Sequence, residues 1–244
     1  EAEYIRRMAN VVGQKFYVDV YVISPLRLEG VSVDRVIPLL EEGVCEGLGL
    51  TSMPLAGVTA PVYPIGAFTQ GIAESIGGYA ILHEAYPQIS ITFAVGAFHF
   101  DMKYGNVVFG SPDQTLMDLI GVAINQFYSR KAVYGVRSFR TMAKKVDAQA
   151  QVEKAASAAV GVLTGTGEFI HSGLLSLDEI FSPVQLIIDC EIGHYLSKLA
   201  RGLDFSEEEL ESSIDVIERC ALKGSFLTDR TTLGEYKQIY WQPD

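Results

Sequence analysis

The feature that most constrains the fold is a repeated order of short β-rich segments, each followed by a longer segment with helical periodicity. A strand followed by a crossover helix, several times over, is typical of a parallel sheet covered by helices. The pattern predicts strands at 15–24, 47–54, 88–96, 132–138 and 167–173. It predicts helices at 33–42, 64–85, 112–130, 147–163, 183–201 and 206–220.

Two architectures fit this α/β order: an open doubly wound sheet and a closed eight-fold β/α barrel. A whole barrel typically needs about 250 residues. The 244 residues here provide only five predicted strands because the helices are long. The opening segment "EAEYIRRMANVVGQ" has the pattern of a helix that ends just before the first strand. We therefore expect a single domain that starts in the middle of its fold.

The strand at 88–96 shows how one such unit would face its neighbours, because bulky and small residues alternate along it. The bulky set is predicted to meet the outer helices, and the small set to line the opposite face. The loop that starts at Gly96 then lies at the carboxyl end of the strand, where barrel enzymes place their chemistry. The two sets are Ile89, Ile91, Phe93 and Val95, and Ser90, Thr92 and Ala94.

Composition limits the classes of partner. The formal charge of −11 provides no basic surface for nucleic acid or an anionic membrane. No apolar run reaches the about 18 residues needed to cross a bilayer. The three cysteines are far apart and lack C-x-x-C spacing, which is typical of a reducing compartment, so we expect a cytoplasmic protein.

The loop "GAFHFDMKYGNVVFGSPD" after the third strand is unusually aromatic. Its rings could simply pack against the end of the sheet. They could also form a cage for a quaternary ammonium, which has no N–H to donate and is bound by ring faces and a carboxylate. In that hypothesis Phe98, Phe100 and Tyr104 surround the cation and Asp101 adds the opposite charge.

Three further segments carry candidate polar groups. The helix start after "GVTAPVYP" is either a plain capped loop or a site for a substrate carboxylate. The segment "VRSFRTMAKKVDAQAQVEKA" places Arg137 and Arg140 before a helix that Asp147 and Gln149 begin. It is either a solvated basic patch before a capped helix or a carboxylate site with a shaped pocket. His171 ends a predicted strand and so lies at the active end of such a fold.

Taken in order along the chain, several short motifs resemble the trimethylamine methyltransferase family. No single motif is specific, but their order and spacing cover nearly the whole chain. The motifs are T-A-P-V at 59–62, A-E-x-x-x-G starting at Ala73, D-M-x-x-G at 101–105, G-S-P at 110–112, D-A-Q-A-x-x-E-K-A at 147–155, D-x-E-I at 189–192, G-x-F-L at 224–227 and Y-W-x-P at 240–243.

The resemblance implies a parallel (β/α)8 TIM-type barrel of about twice this length, of which this chain would be the carboxyl-terminal part with about five β/α units. It also implies methyl transfer from a methylated amine to the cobalt of a corrinoid (cobalamin) on a separate protein. The corrinoid-binding signature D-x-H-x-x-G occurs around none of the four histidines, so we expect the corrinoid to arrive on that partner. Homo-oligomers are expected from the resemblance alone.

The trimethylamine branch of the family uses pyrrolysine, which the resemblance places in the loop before Asp147. That loop has only ordinary residues here, among them Thr141 and Met142. Members without pyrrolysine are associated with quaternary amines such as betaines, and we extend that expectation to this chain. The sequence departs from the family in "TMAKK" before Asp147 and in Tyr63 and Pro64 after T-A-P-V.

The leading hypothesis takes Asp101, Asp147 and Gln149 as the catalytic group, and Phe98, Phe100, Tyr104, Arg137, Arg140 and His171 as the substrate-binding group. Two other functions stay open from the sequence. The chain could bind an amine or a corrinoid protein without turnover. It could also be an unrelated barrel enzyme acting on a small acid, with Lys144 or Lys145 forming a Schiff base.

Overall fold

The computed structural model describes residues 2–13, 16–43, 45–129, 139–165, 169–203 and 205–242. Its main sheet has the strand order β2-β1-β3-β4. β1 and β3 pair in parallel, as do β3 and β4, and β2 is an antiparallel edge strand on β1. The strands of this sheet are β1 (Phe16–Ile23), β2 (Arg27–Leu28), β3 (Cys45–Ser52) and β4 (Ser90–Ala94).

Two small antiparallel hairpins lie outside this sheet, in the connections that follow β4 and α6. They are β5 (Phe100–Asp101) with β6 (Asn106–Val107), and β7 (Leu174–Leu175) with β8 (Ile180–Phe181). The helices are α1 (Ala2–Val12), α2 (Gly30–Asp34), α3 (Ile37–Glu41), α4 (Pro64–Ala85), α5 (Pro112–Ser129), α6 (Ala148–Leu163), α7 (Pro183–Arg201), α8 (Glu207–Cys220) and α9 (Arg230–Ile239), with a 3₁₀ turn at Ala221–Lys223.

The main core lies between the sheet and α4. Val20, Val22, Leu48, Leu50 and Leu82 are buried together there. The alternation predicted for the third strand is confirmed, since its bulky residues pack on this core or the adjoining one, while its small ones are exposed on the opposite face. The bulky residues are Ile89, Ile91, Phe93 and Val95, and the small ones are Ser90, Thr92 and Ala94.

The opposite face of the sheet is polar and partly open. Tyr17 and Asp19 pair across the sheet with Gly47 and Gly49 of β3. A Cβ at Gly49 would collide with the Asp19 carboxylate, so the side chains of β1 lean over the glycines. Tyr17 also exchanges a hydrogen bond with the Ser90 hydroxyl at 3.1 Å.

Several helix predictions are confirmed to within a residue at described positions. α4 and α7 have the predicted bounds, and each has a proline in its first turn, where no N–H is needed. Asp147 and Ser206 are N-caps rather than helical residues. The single helix predicted at 33–42 is wrong, because the chain forms α2 and α3 there, with Pro38 in the first turn of α3.

The strand predictions have a mixed outcome. The first three predicted strands correspond to β1, β3 and β4, which are shorter or shifted by a few residues. The segment 132–138 lies outside the described residues. The last predicted strand, 167–173, is described only at 169–173, where the chain forms no strand. The hairpin of β7 and β8 starts just after it, at Leu174. The described residues thus form a mixed α/β fold with a parallel sheet.

Among the described residues, no helix combines the length and the apolar character that a bilayer-spanning segment needs.

Candidate active site

The aromatic loop connects β4 to α5 and packs against the loop that follows β3. The Phe98 N–H donates to the Pro54 carbonyl at 3.0 Å, and the Ala56 N–H donates to the Phe98 carbonyl at 2.9 Å. The ring of Phe98 meets that of Phe109 edge to face, with centroids 5.8 Å apart. Phe109 is buried, so these two rings form the inner part of the loop.

The outer part of the same loop is the hairpin of β5 and β6. The Asp101 carboxylate accepts hydrogen bonds from the backbone N–H groups of Lys103 and Tyr104, at 2.7 and 3.1 Å. The Tyr104 side chain is 73% exposed, and its ring carries the Lys103 ammonium 4.9 Å from its centroid. Of the predicted cage, Tyr104 therefore lies on an exposed turn, Phe100 and Asp101 are half-buried in β5, and Phe98 is in the inner pair.

Arg140 joins the inner aromatic pair to the hairpin of β7 and β8. Its guanidinium carbon lies 4.4 Å from the Phe109 ring centroid. Its Nη2 approaches His171 Nε2 at 3.0 Å and donates to the Asp178 carboxylate at 3.3 Å. Within the described part of the chain, the buried Nε of Arg140 has no hydrogen-bond partner.

His171 faces this guanidinium as an acceptor. An arginine only donates, so Nε2 of His171 carries the lone pair and the ring is neutral, with its proton on Nδ1. Burial lowers the pKa of His171, and the positive charge of Arg140 lowers it further, while Asp178 opposes the shift. Its backbone has φ of 70°, a left-handed conformation that is uncommon outside glycine. Arg140 and His171 are two predicted site residues that the fold brings into contact.

A buried amide connects the aromatic loop to an acid that the sequence analysis did not single out. Gln114 accepts from the His99 N–H at 2.7 Å and donates to the Asp118 carboxylate at 2.7 Å. Burial raises the pKa of Asp118 to about 6, and the Gln114 hydrogen bond and the Arg140 charge partly oppose the shift. The i, i+4 spacing of Gln114 and Asp118 on α5 was the available sequence signal.

Glu153 on α6 binds the segment that follows Arg140. Its Oε2 accepts from the Thr141 hydroxyl at 2.5 Å and from the Met142 N–H at 2.9 Å. Its Oε1 accepts from the Gln149 side-chain amide at 2.8 Å. Asp147 caps α6 by accepting from the backbone N–H groups of Gln149 and Ala150, at 3.0 and 3.2 Å. Gln149 therefore contacts Glu153 directly, and Asp147 caps the helix that carries both residues.

A buried ion pair fixes α6 against α7 next to His171. Lys154 Nζ lies 2.6 Å from Asp189 Oδ2, and both side chains have zero exposure. The same carboxylate accepts from the Gly173 N–H at 2.6 Å and from the Gln185 amide at 2.8 Å. Gln185 and Gln151 exchange amide hydrogen bonds at 3.0 and 3.2 Å.

A second buried carboxylate organises the loop after β1. Glu74 on α4 accepts from the Ser24 hydroxyl at 2.8 Å, from the Leu26 N–H at 3.0 Å and from the Gln70 amide at 2.9 Å. Gln70 also donates to the Thr59 carbonyl at 2.7 Å. The A-E-x-x-x-G and T-A-P-V motifs thus meet at the carboxyl ends of β1 and β3.

One predicted residue, Arg137, lies in 130–138, outside the described residues, so its role stays a prediction. Two acids near Arg140 were not predicted from the sequence. Asp178 accepts a hydrogen bond from the Arg140 guanidinium, and the positive charge of Arg140 lowers the pKa of Asp118 against the effect of burial. An apolar groove of about 310 Å³ lies elsewhere, between α8 and α9, and contains none of the predicted residues.

The chain matches one protein-family model, described as trimethylamine methyltransferase, over residues 10–244. It is similar to a proline betaine:corrinoid methyltransferase of Eubacterium limosum, with 26% identity over 90% of this chain and 44% of that protein. It is also similar to the trimethylamine methyltransferase MttB of Methanosarcina barkeri, with 28% identity over 86% of this chain and 41% of that protein.

A third relative is a glycine betaine methyltransferase of Desulfitobacterium hafniense, with 26% identity over 91% of this chain and 45% of that protein. The chain spans less than half the length of these curated relatives. The names of all three refer to a methylated amine, and one of them also names a corrinoid.

Proposed function

Because the chain belongs to the trimethylamine methyltransferase family, we propose that it transfers a methyl group from a methylated amine to the cobalt of a corrinoid on a separate protein. The names of its relatives support the reaction class. At 26–28% identity they support no single amine. The family match also argues against an unrelated barrel enzyme that acts on a small acid.

The fold we propose for the whole protein is a closed (β/α)8 barrel, to which this chain contributes about five β/α units. The parallel order of β1, β3 and β4, with α4 crossing between the last two, supports it. In a barrel of this kind, the loops after the strands form the active site. A cytoplasmic location and a homo-oligomeric state complete this proposal.

The substrate class we favour is a quaternary amine that also carries a carboxylate, such as a betaine. One observation carries this choice: Arg140 lies over the Phe109 ring and already holds a carboxylate, that of Asp178, at 3.3 Å. The same guanidinium offers a buried Nε without a partner among the described residues. A substrate carboxylate can bind there while the aromatic loop receives the ammonium group.

The remaining residues predicted from the sequence have the following roles in this proposal. Phe98, Phe100 and Tyr104 would contact the ammonium, with Asp101 supplying negative charge after rearrangement of the exposed turn. Asp147 and Gln149 would shape the loop that carries Arg140, and Arg137 is a second candidate for the carboxylate. His171 would keep the guanidinium oriented.

The proposed reaction needs no general acid. The electron pair of Co(I) forms the bond to the methyl carbon, the C–N bond breaks, and its electron pair stays on nitrogen as a neutral tertiary amine. The protein then has to position the substrate and exclude water. A neutral His171, which donates no proton through Nε2, is compatible with this chemistry.

The test is to incubate the intact protein with a reduced corrinoid protein and a panel of betaines, and to follow the cobalt absorption spectrum. We expect a methyl-cobalt spectrum with at least one betaine. Arg140→Gln should slow that reaction by about 10- to 100-fold, because a charged hydrogen bond to the substrate is lost. Absence of methyl-cobalt with every quaternary amine would remove the proposal.

A second candidate is a relative that binds the amine or the corrinoid protein without turnover. It is favoured by the engagement of Arg140 with both Asp178 and His171 before any substrate arrives. Calorimetry distinguishes the two, since betaine binding without methyl-cobalt formation would support the binding protein.

A further inference from the structure

Glu153 contacts both loops that build the proposed amine site. On one side its carboxylate accepts from Thr141 and Met142, the two residues that directly follow Arg140. On the other side, its side-chain stem lies against Gly110, the residue that directly follows Phe109. Glu153 thus contacts the residue that directly follows each member of the cation–π pair, Thr141 after Arg140 and Gly110 after Phe109.

The contact with Gly110 is close enough to restrict the loop. Gly110 has φ of 74°, and a Cβ built there would lie 2.8 Å from Glu153 Cβ and 3.0 Å from the Arg140 carbonyl oxygen. Only glycine combines that backbone conformation with this approach. The G-S-P motif is therefore the surface against which Glu153 and the Arg140 backbone pack.

Both oxygens of the carboxylate are needed for this arrangement. Oε2 takes two donors, the Thr141 hydroxyl and the Met142 N–H, and Oε1 takes the Gln149 amide. Thr141 is fully buried, and its hydroxyl oxygen in turn accepts from the Ala143 N–H at 3.0 Å. The segment after Arg140 therefore has few alternative positions while the Glu153 carboxylate is in place.

We propose that Glu153 is the positioning residue that sets the Arg140 guanidinium over the Phe109 ring, and that it thereby determines preference for carboxylated quaternary amines. The second half of this statement rests on the proposed function. The first half does not, because it concerns only the geometry of this chain. Glu153 acts through Arg140 and does not itself touch the substrate.

The first experiment needs no ligand. A guanidinium stacked on a ring experiences the ring current, so the Arg140 Nε–H signal should be shifted upfield in the ¹⁵N-arginine NMR spectrum of the intact chain. Its absence from Arg140→Lys assigns it. Glu153→Gln should move this signal toward the position of an unstacked arginine, because an amide cannot accept all three hydrogen bonds. An unchanged signal would overturn the proposal.

The second experiment measures binding of glycine betaine and of tetramethylammonium, which lacks a carboxylate, by calorimetry. Glu153→Gln should weaken glycine betaine binding about tenfold and tetramethylammonium binding less than twofold. Thr141→Val, which removes one of the three donors, should produce the same difference to a smaller extent. Glu84→Gln, an exposed acid at the end of α4, is the matched control and should change neither.

The outcomes separate the two proposals. Equal weakening of both ligands would mean that Glu153 only maintains the fold, and would overturn the inference. If the wild-type protein binds neither ligand, the proposed preference fails, the methyl-cobalt assay with the betaine panel still decides the proposed function, and the NMR signal decides whether Glu153 positions Arg140. Circular dichroism at 25 °C checks that each variant is folded, and Thr141→Val replaces Glu153→Gln if the latter is not.

Discussion

The sheet region is formed by β1, β3, β4 and α4, and its largest buried cluster consists of branched aliphatic side chains, with Glu74 of α4 as a buried acid at its edge. The helix-pair region is formed by α6, α7 and 139–143 with 169–182, and it buries charges and amides beside a small apolar cluster. In the sheet region, residues such as Leu48 and Leu50 pack with almost no exposure. In the helix-pair region, Lys154, Asp189 and Gln185 are equally inaccessible. The apolar region sets the frame, and the polar region places Arg140 and His171.

The comparison has an energetic side. Apolar packing loses stability in proportion to the atoms removed. A buried ion pair loses little if both partners are replaced by apolar groups of similar size, but loses much if one partner remains. The two regions should therefore respond differently to single and double substitutions, which the following predictions use.

The largest effect is expected from Asp189→Leu. The change leaves the Lys154 ammonium and the Gly173 N–H buried without their acceptor, and should lower the free energy of unfolding by about 3–5 kcal/mol. Urea denaturation measures it. The double variant with Lys154→Met should recover most of the loss, and a double variant as unstable as the single one would contradict this account.

Leu48→Ala should cost about 3 kcal/mol by the same measurement, because Leu48 is fully buried in the sheet region. Unlike the loss at Asp189, this loss of stability should not be recovered by a second substitution of a polar neighbour. Leu116→Ala, on the exposed face of α5, is the control and should change stability by less than about 0.5 kcal/mol. A loss at Leu48 as small as at Leu116 would refute the assigned core.

The contrast also explains what could be predicted from the sequence. Aliphatic periodicity and prolines at helix starts identified β1, β3, β4, α4 and α7. The break between α2 and α3 was missed because the periodic pattern was followed across Pro38. A local pattern reports the apolar region well, since each element carries its own apolar face.

The polar region is harder to predict because its partners are distant in sequence. Lys154 and Asp189 are 35 residues apart, and Arg140 and His171 are 31 apart. Nothing in either segment alone specifies the pairing. Arg140 and His171 were nevertheless predicted, from their places after strands, whereas Asp178 and Asp118 had no such position and were missed.

Asp118 gives the next effect, which depends on pH. Its pKa in the folded protein is raised from 3.8 to about 6, so its protonated form stabilises the fold. That contribution is complete below about pH 4 and is lost as pH rises through about 6. Asp118→Asn should therefore match the wild type at pH 4 and exceed it at pH 8, by at most about 3 kcal/mol.

The measurement is urea denaturation of both proteins at the two pH values. Asp113→Asn, at an exposed acid on the same helix, provides the control for the loss of one negative charge. A constant difference between wild type and Asp118→Asn from pH 4 to 8 would mean that Asp118 titrates as an ordinary surface acid.

The smallest effect tests how far the polar region tolerates partial loss. Gln151→Met removes one half of the reciprocal amide pair with Gln185, while Gln185 keeps its hydrogen bond to Asp189. We expect a loss of about 1–2 kcal/mol, since two neutral hydrogen bonds between half-buried Gln151 and fully buried Gln185 are lost and no charge is left unpaired. If urea denaturation instead showed a loss close to that of Asp189→Leu, the amide pair and the ion pair would form one cooperative unit. The helix-pair region would then differ from the sheet region in cooperativity as well as in composition.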